Sequence, residues 1–589
     1  MGVFLFISFA DGVHHYFMKR NLLFLLLLIS LFLHAGTIRA QHDSVWVDSV
    51  FKSLSLENQI AQLLIIRAYS GKDSVYNDSL VKIIRKFNVG GVCFFKGTPV
   101  RQVQLTNRLQ QVAQTPLLVS IDAEWGLGMR LDSAFSYPRQ MALGAIRDDS
   151  LIYEMGRQIA KSCQRMGIQI NWAPVVDINN NPKNPVISFR SFGENPRMVA
   201  RRSSLYMRGM QDQGMMAVAK HFPGHGDTDT DSHLSLPVIS HSRQRMDSVE
   251  LYPFRELIRE GVKGVMVAHL YLPCYDSSVN IPATLSHNVV TGLLKEQMKF
   301  SGFIITDALD MQGVTKYFKP GEIEVKALLA GNDILLLPQN TETAIKGIIS
   351  AIDSGWISRE TIREKCTRIL MLKAKLGLIR PPVIDPENLI ADINPPEVVA
   401  LCQKMTNASV TIIKNDLELI PLKGLAERKF ALLSLGDTTA TVFEEELRKY
   451  MTLDHFSVSK KFSEQVADSI CKLVNPYDIL ILGIHGINSN IADSFGITTQ
   501  MARLTDKLTR VNRTLLTLFG TPYSFSRIPD LTKPEAILLC YQDNPSTESA
   551  AGEIIFGGLG ATGKLPVTAT IFPYRTGLET EKTLSLIHI

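Results

Sequence analysis

Short apolar runs alternate with longer amphipathic stretches between residues 60 and 340. The runs have the β-rich composition of buried strands: Leu63–Ile66, Gly91–Phe95, Leu117–Ile121, Ile170–Val176, Met216–Ala219, Val265–Ala268, Phe303–Thr306 and Asp333–Leu337. The stretches between them have helical periodicity, as in Ser79–Phe87, where Leu80 and Ile84 share a face, and in Asn288–Met298. Eight strands alternating with helices over roughly 280 residues predict a (β/α)8 TIM barrel. A doubly wound open sheet is the alternative.

Polar side chains follow several of these runs directly. They are Asp122 and Glu124 after the third run, Asp177 after the fourth, Lys220 and His221 after the fifth, His269 after the sixth and Asp307 after the seventh. In parallel α/β folds, the carboxyl ends of the strands face one common cavity. The pattern therefore predicts that these side chains converge on one site.

A second, smaller α/β domain is predicted after the barrel. The barrel is expected over 41–379, a Pro-rich linker over 380–396 and the second domain over 397–583. The second domain resumes the alternation of apolar runs with helical segments such as Ser463–Val474. Its runs are Val410–Ile413, Phe430–Leu435, Ile479–Leu482, Leu515–Phe519 and Ala536–Cys540.

The two ends of the chain differ from the rest. Residues 1–40 are typical of a secretory signal peptide, with a basic start at Met18-Lys19-Arg20, twelve apolar residues at Leu22–Leu33 and small residues before a cut after Ala40. Twelve residues are short for a membrane span, and an uncleaved anchor is the alternative. We expect an exported protein, periplasmic or extracellular, with no stable membrane span after cleavage. Residues 584–589 match the translation of a sequencing-transposon end, so we expect the natural chain to continue past 583.

Composition narrows the class of protein. The chain has 589 residues, 45% hydrophobic and 20% charged, which excludes a disordered or fibrous protein. A net charge of +5 without a Lys/Arg run gives no indication of a nucleic-acid partner. The seven cysteines are scattered and form no CxxC pair, which indicates small buried hydrophobic residues rather than a disulfide framework. The oligomeric state is not indicated.

The segment 220–233 is the richest in groups that can bind or transfer protons, with three histidines and three aspartates. Asp231 lies two residues from His233 and could fix the tautomer of that imidazole for acid/base work. The alternatives are backbone capping in a loop, and a metal site built from His221, His225, His233 and the aspartates of the segment. The segment is broken by Pro and Gly and lacks the helical spacing of a zinc site, so no metal and no cofactor are predicted.

Asp307 follows the seventh apolar run and would face the barrel mouth. A retaining glycosidase needs such a carboxylate as nucleophile, while the alternative role is the N-cap of the next helix. Asp310, three residues later, is predicted to belong to that helix.

These residues resemble glycoside hydrolase family 3, in particular β-N-acetylglucosaminidases of the peptidoglycan-recycling type. The resemblance covers 55–583. Its segments in the barrel are KHFPGHGDTDTDSH at 220–233, NWAPVVD at 171–177, RSFG at 190–193, MVAH at 266–269 and the turn Thr306-Asp307, and in the second domain NASVTIIKN at 407–415 and GKLPVT at 563–568. It implies a TIM barrel followed by an α/β sandwich domain.

The resemblance also implies the roles of individual residues. Asp307 would be the nucleophile, and His233, paired with Asp231, the general acid/base of a double displacement. The residues implied to bind the terminal sugar are Asp122, Arg130, Arg190, Lys220 and His221. The implied activity is exo-hydrolysis of terminal β-linked N-acetylglucosamine, from carbohydrate substrates such as muropeptides. The loop that bears His233 is expected to move to complete the site.

The chain departs from the family pattern after the third strand. Leu127 stands where the family has Arg, and Trp125 where it has Gly. Trp125 could stack on a sugar or pack beneath the loop, which leaves the leaving-group preference open. The competing functions are a β-glucosidase or β-xylosidase, an N-acetylglucosaminide phosphorylase, a non-catalytic wall-binding protein and a metallohydrolase.

Overall fold

The computed structural model describes residues 42–231 and 235–583. The predicted signal peptide, His233 and the tail 584–589 lie outside these ranges.

Eight parallel strands form the first sheet. They are β1 Leu64–Ala68, β2 Gly91–Phe94, β3 Leu118–Ile121, β4 Ile170–Asn171, β5 Met216–Phe222, β6 Gly264–Val267, β7 Phe303–Thr306 and β8 Leu335–Leu336. The order is β7-β6-β5-β4-β3-β2-β1-β8, and a bridge between Ile305 and Ile334 joins the two ends. The sheet therefore closes, which confirms the barrel and excludes the open doubly wound sheet.

The fourth strand is much shorter than its apolar run. Regular pairing ends at Asn171 because Pro174 has no backbone N–H to donate. The chain still follows the barrel wall, since Val218 N donates to Ala173 O and Val176 N to Lys220 O, each at 2.8 Å. The run thus contributes a buried wall with only two residues of regular strand.

Helices surround the barrel. They are α1 42–53, α2 Leu56–Ala61, α3 Ser74–Phe87, α4 Pro99–Val112, α5 Gln140–Leu143, α6 Ser150–Arg165, α7 Pro196–Asp212, α8 Arg243–Ser248, α9 Tyr252–Arg259, α10 Gln312–Thr315, α11 Glu322–Ala330, α12 Thr341–Asp353, α13 Arg359–Lys375, α14 Leu389–Ile393 and α15 Pro396–Ser409, with a π-helix at Asn288–Gln297. The helix α3 illustrates the local causes, because Asp73 caps its start by accepting from Tyr76 N and Asn88 ends it at φ 53°. No helix in the described part of the chain is long and apolar enough to cross a membrane.

Six strands form the second sheet. They are β9 Thr411–Asn415, β10 Phe430–Gly436, β11 Asp454–Ser459, β12 Ile479–Ile484, β13 Thr514–Leu518 and β14 Ala536–Leu539. The order is β11-β10-β12-β13-β14-β9, parallel except for β9, which pairs antiparallel with β14. The helices are α16 Val442–Arg448, α17 Glu464–Val474, α18 Thr499–Val511 and α19 Pro545–Phe556. The strand β11 has no counterpart among the predicted runs, because its half-exposed edge sequence contains few apolar residues.

The segment between the two sheets packs against the barrel. Arg165 donates to Asp392 and to the carbonyls of Asp385 and Glu387, and Leu389 is buried. The Pro-rich stretch is therefore held in place rather than free.

The second domain also contacts the barrel directly. Glu194 accepts from Thr568 N at 2.7 Å and from Thr568 Oγ1 at 2.8 Å, and Lys564 N donates to Ala145 O at 3.0 Å. Met141 and Ala145 belong to the apolar core of the second sheet. The two domains thus share buried surface next to the carboxyl ends of the barrel strands.

Candidate active site

A cavity of about 580 Å³ lies at the carboxyl ends of the barrel strands. Strand ends supply its polar wall: Arg67 from β1, Asp122 and Glu124 after β3, Lys220 and His221 from β5, and Asp307 and Asp310 after β7. Arg130, Arg190, His225 and Trp125 complete the wall from loops. The cavity therefore collects most of the side chains whose convergence the strand pattern predicted.

Asp122 and Glu124 organise the cations of this wall. Asp122 accepts from Arg130 Nη2 and from Lys220 Nζ, each at 2.8 Å. Glu124 Oε1 lies 2.8 Å from the same Lys220 Nζ. Glu124 also accepts two parallel bonds from Arg190, Nε to Oε2 at 2.9 Å and Nη2 to Oε1 at 2.6 Å. Two carboxylates thus fix three cations in one continuous network.

The network sets the charge of its members. Burial raises the pKa of Glu124, but the charges of Arg190 and Lys220 outweigh it and hold that pKa well below its usual range. The pKa of Asp122 is likewise lowered, because Lys220 and Arg130 overcome its burial. Burial lowers the pKa of Lys220, and the two carboxylates more than reverse this. Both carboxylates are therefore charged throughout the neutral range.

Asp177 positions the histidine at the end of β5. Its Oδ2 lies 2.7 Å from His221 Nδ1, and its Oδ1 accepts from His225 N at 2.7 Å. Arg190 Nη2 lies 3.3 Å from His221 Nε2 and can only donate. His221 therefore donates from Nδ1 to Asp177 and accepts at Nε2, which defines its tautomer.

His225 is buried behind the same wall. Its Nδ1 lies 2.9 Å from Thr228 Oγ1, and Asn184 donates to its carbonyl. Burial lowers the pKa of His225 to about 4, so the ring is neutral near pH 7. It is part of the structural support of the site.

Asp307 is half-buried and lines the cavity directly after β7. Its N–H donates to Val267 O at 2.9 Å, and its Oδ1 accepts from Ala308 N at 2.8 Å. The buried His269 lies with Nε2 2.9 Å from Ala308 O and so secures the same turn from β6. The next helix, α10, begins five residues later, so the N-cap role considered for Asp307 is wrong.

Asp310 contributes to the cavity wall rather than to a helix. It lies in the turn before α10 and forms an ion pair with Arg67 at 2.7 Å. The prediction that Asp310 belongs to the following helix is therefore wrong. The turn after β7 bends back toward β1, which brings this carboxylate to the cavity.

Trp125 lines the cavity on the side of the second domain. Its ring centroid lies 6.0 Å from that of Phe189, and the guanidinium of Arg139 lies 5.3 Å from the Trp125 ring and 4.3 Å from the Phe189 ring. Arg139 N donates to Gln542 Oε1 of the second domain at 2.7 Å. Trp125 is thus both part of the cavity wall and part of a packed aromatic group.

The loop after β5 is described up to Asp231, which is half-buried. His233 lies outside the described residues, so its pairing with Asp231 stays a prediction. The loop is anchored at Asp227, whose Oδ2 lies 2.9 Å from His241 Nε2. Arg245 lies between Asp227, at 3.8 Å, and Glu250, at 3.1 Å, and supplies the countercharge.

Residues 55–372 match the model of the glycosyl hydrolase family 3 N-terminal domain. This match covers more than half of the chain. The chain belongs to glycosyl hydrolase family 3.

Two curated relatives are similar to the chain over part of its length. It is 32% identical over 382 residues to β-hexosaminidase A of Pseudoalteromonas piscicida, covering 59% of this chain and 63% of that protein. It is 28% identical over 385 residues to a β-N-acetylglucosaminidase/β-glucosidase of Cellulomonas fimi, covering 64% of this chain and 68% of that protein. The first match thus spans less than two thirds of its relative.

One similar solved structure includes both domains. It is the family 3 β-N-acetylglucosaminidase of Paenibacillus sp. FPU-7, with 28% identity and a TM-score of 0.75, covering 90% of this chain and 100% of that one. The predicted family and the two-domain architecture are therefore confirmed.

The alternative of a metal site in the segment 220–233 can be compared with the positions of the potential ligand atoms. Within residues 42–231 and 235–583, two groups bring three ligand atoms within 4.8 Å of one another: Asp227, His241 and Glu250, and His485, Asp543 and Glu548. Neither includes His221 or His225, although the first includes Asp227 of the segment 220–233. The side chains of the cavity instead form ion pairs and hydrogen bonds with one another.

The structure brings together Asp122, Arg130, Arg190, Lys220, His221 and Asp307, all assigned to the site from the sequence. It shows the partners of Glu124 and Asp177, which were predicted to converge on the site without an individual role, and it adds the pair of Arg67 and Asp310. Arg67 directly follows the first apolar run, and this position was the signal from which its place at the site could have been predicted. The partners of Glu124 and Asp177 depend on the closed barrel and left no signal in the sequence.

Proposed function

We propose that this protein is a retaining exo-glycosidase that releases terminal non-reducing β-linked N-acetylglucosamine. The observation that carries the proposal is the placement of Asp307 in the same cavity as Asp122, Lys220 and Arg190. A carboxylate that faces a dense set of donors and acceptors suits attack on a sugar held by its hydroxyl groups. The β-hexosaminidase and β-N-acetylglucosaminidase names of the relatives favour this substrate.

The reaction begins with attack on the anomeric carbon. An oxygen of Asp307 forms a bond to this carbon as the bond to the leaving oxygen breaks. His233, as imidazolium, gives its proton to the leaving oxygen, and Asp231 stabilises the positive charge beforehand. The result is a glycosyl-enzyme and a free leaving group.

Water completes the cycle. Neutral His233 takes a proton from a water molecule, whose oxygen attacks the anomeric carbon on the face left by the leaving group. The bond to Asp307 breaks and the carboxylate is restored. The two displacements together retain the anomeric configuration.

The ionic network would bind the sugar in a fixed orientation. Asp122 keeps its charge because Lys220 and Arg130 lower its pKa, so it can accept from two hydroxyl groups. Arg190 and Lys220 are held by Glu124 and can donate in fixed directions. His221 would act on the sugar through Arg190, because its Nε2 lone pair faces Arg190 Nη2 at 3.3 Å.

We further propose that the substrates are peptidoglycan fragments outside the cytoplasmic membrane. The basic start and apolar run within residues 1–40 support export. The resemblance of 220–233 to the peptidoglycan-recycling type supports the substrate class.

The test is a panel of nitrophenyl glycosides and muropeptides with the wild type, Asp307→Ala and His233→Ala. We expect N-acetylglucosaminides to be the best substrates and each substitution to lower kcat by at least about 1,000-fold, as the loss of a group that acts chemically requires. His287→Ala is the matched control, because His287 is an exposed histidine after β6. Its kcat should equal that of the wild type.

Three outcomes would contradict the proposal. A higher kcat/KM on glucosides or xylosides would indicate another substrate. Acceleration by phosphate with a sugar 1-phosphate as product would indicate a phosphorylase, for which a neutral histidine rather than a carboxylate acid/base is suitable. Binding without turnover by the wild type would indicate a wall-binding protein.

A further inference from the structure

Arg139 differs from the other cations around the cavity because it has no carboxylate partner among the described residues. Within residues 42–231 and 235–583, no carboxylate forms an ion pair with its guanidinium, and no residue accepts a hydrogen bond from that group. The four cations of the cavity wall all have carboxylate partners: Arg67 with Asp310, Arg130 with Asp122, Arg190 with Glu124, and Lys220 with Asp122 and Glu124. The donors of Arg139 therefore have no protein partner within the described ranges.

The position of Arg139 is built by both domains. The guanidinium lies against the rings of Phe189 and Trp125, at 4.3 and 5.3 Å from their centroids. Gln542 of the second domain accepts from the backbone N–H of Arg139 at 2.7 Å. Arg139 is half-buried, so the side chain has lost part of its contact with water.

This arrangement favours an anion. A guanidinium can contact aromatic rings without using its N–H donors on them, and those donors match the two oxygens of a carboxylate. Partial burial strengthens such a pair relative to one in bulk water. The ring of Trp125 connects the guanidinium of Arg139 to the cavity, because the Trp125 side chain also lines the cavity that contains Asp307.

We propose that Arg139 and Trp125 form a leaving-group subsite that selects leaving groups with a carboxylate. Trp125 would support the ring of the leaving group and Arg139 would bind its carboxylate through two parallel hydrogen bonds. This inference rests on the proposed function, since it places the terminal sugar next to Asp122. It assigns a role to the second domain, which fixes the backbone of Arg139 through Gln542.

The test uses two substrates that differ only at one carboxyl group, which is charged in the first and esterified in the second. They are the β-N-acetylglucosaminides of 3-carboxy-4-nitrophenol and of its methyl ester. We expect the wild type to have the higher kcat/KM on the acid. Arg139→Gln should lower kcat/KM about tenfold on the acid and less than twofold on the ester, mainly through KM. Arg139→Lys should retain part of the preference, because it keeps the charge but loses the two-donor geometry.

Arg147→Gln is the matched control. Arg147 is exposed and pairs with Glu579 of the second domain, so this variant removes one positive charge near the domain junction without changing the aromatic group. It should keep the preference of the wild type for the acid. An equal loss on both substrates with Arg139→Gln, or no loss on either, would overturn the inference.

Failure of the proposed function is distinguishable from failure of this inference. If the wild type cleaves neither N-acetylglucosaminide but cleaves the matching β-glucosides, the sugar assignment is wrong. The same acid and ester pair, as glucosides, then decides the role of Arg139 by the same criterion.

Discussion

Glu124 accepts both parallel hydrogen bonds of Arg190, at 2.6 and 2.9 Å, on a side chain that is only 1% exposed. The same carboxylate lies 2.8 Å from Lys220 Nζ. One buried anion therefore holds two of the cations assigned to sugar binding, although no individual role was predicted for Glu124. Its removal tests whether these cations are positioned by this network.

Glu124→Gln should impair both stability and activity. The amide keeps the shape of the carboxylate but leaves two buried cations short of one negative charge, and breaking a buried pair costs about 3 kcal/mol. We expect the free energy of unfolding to fall by about this amount, measured by urea denaturation. We also expect kcat/KM on nitrophenyl N-acetylglucosaminide to fall at least about tenfold.

The control for this substitution is Glu154→Gln. Glu154 pairs with Arg157 on the surface of α6, where both side chains are about one third exposed. Such a pair contributes at most about 1 kcal/mol, so this variant should behave like the wild type. Equal stability of the Glu124→Gln variant and the wild type would show that the buried network does not hold the site together.

The stability of the protein should fall in acid. Neighbouring cations lower the folded-state pKa of Asp122 and Glu124 against the effect of burial, and His221 and His225 do the same for Asp177. A carboxyl group whose pKa is lowered in the folded state stabilises the fold at pH values above its unfolded pKa of about 4, and this stabilisation is lost as the pH falls from that value through the folded-state pKa. We expect the free energy of unfolding to decline below about pH 4.

The contribution of Glu124 to this decline can be isolated. The variant Glu124→Gln has no carboxyl group to titrate at this position, so its stability should fall less steeply with acid than that of the wild type. Urea denaturation at a series of pH values measures both slopes. Parallel curves would show that the pKa of Glu124 is not lowered in the folded state.

The sequence predicted those strands best whose apolar runs end at polar or turn residues. The strand β7 coincides with its predicted run, Phe303–Thr306, because Gly302 precedes it and Asp307 follows it. The run Ile170–Val176 gave a much shorter strand, since Pro174 cannot donate to a neighbour. Hydrophobic periodicity thus locates the wall of the barrel but not the length of regular pairing.

The side-chain partners of the site could not be predicted. Glu124 and Arg190 are 66 positions apart, and they meet only because the loops after β3 and β4 fold over the same end of the barrel. Asp310 was assigned to a helix because its spacing from Asp307 suits one, yet the turn after β7 directs it to Arg67. The order of the strands indicates which residues lie at the same end of the barrel. Which of these residues form pairs depends on the geometry of the closed barrel.

Asp177→Asn should weaken sugar binding through His221. The carboxylate of Asp177 accepts from His221 Nδ1 at 2.7 Å and thereby leaves Nε2 as an acceptor. An amide can present its NH2 group instead, which permits the other tautomer and removes the Nε2 lone pair that faces Arg190, one of the residues assigned to the sugar. We expect kcat/KM to fall at least about tenfold, mainly through a higher KM.

Asp78→Asn is the control for this change, because Asp78 forms an exposed ion pair with Arg108. It should leave both kinetic parameters unchanged. If Asp177→Asn lowered kcat and left KM constant, the tautomer of His221 would not determine how tightly the substrate binds.

Lys373 should make the stability of the barrel rise between neutral and alkaline pH. It is fully buried in α13 and donates to Gln62 Oε1, and no carboxylate within residues 42–231 and 235–583 pairs with it. Burial lowers the pKa of Lys373 to about 7 in the folded state, whereas the same side chain has its ordinary pKa of about 10.4 in the unfolded chain. Between these values the unfolded state binds more protons than the folded state, so stability increases with pH.

The variant Lys373→Met removes this titration. From pH 7 to pH 9, the free energy of unfolding of the wild type should rise by about 2 kcal/mol relative to Lys373→Met, since each pH unit above the folded pKa contributes about 1.4 kcal/mol. Lys375→Met is the control, because Lys375 is exposed on the same helix and should titrate alike in both states. Urea denaturation in the presence of constant salt gives all three curves. A constant difference between the wild type and Lys373→Met across this range would mean that Lys373 keeps its proton in the folded barrel.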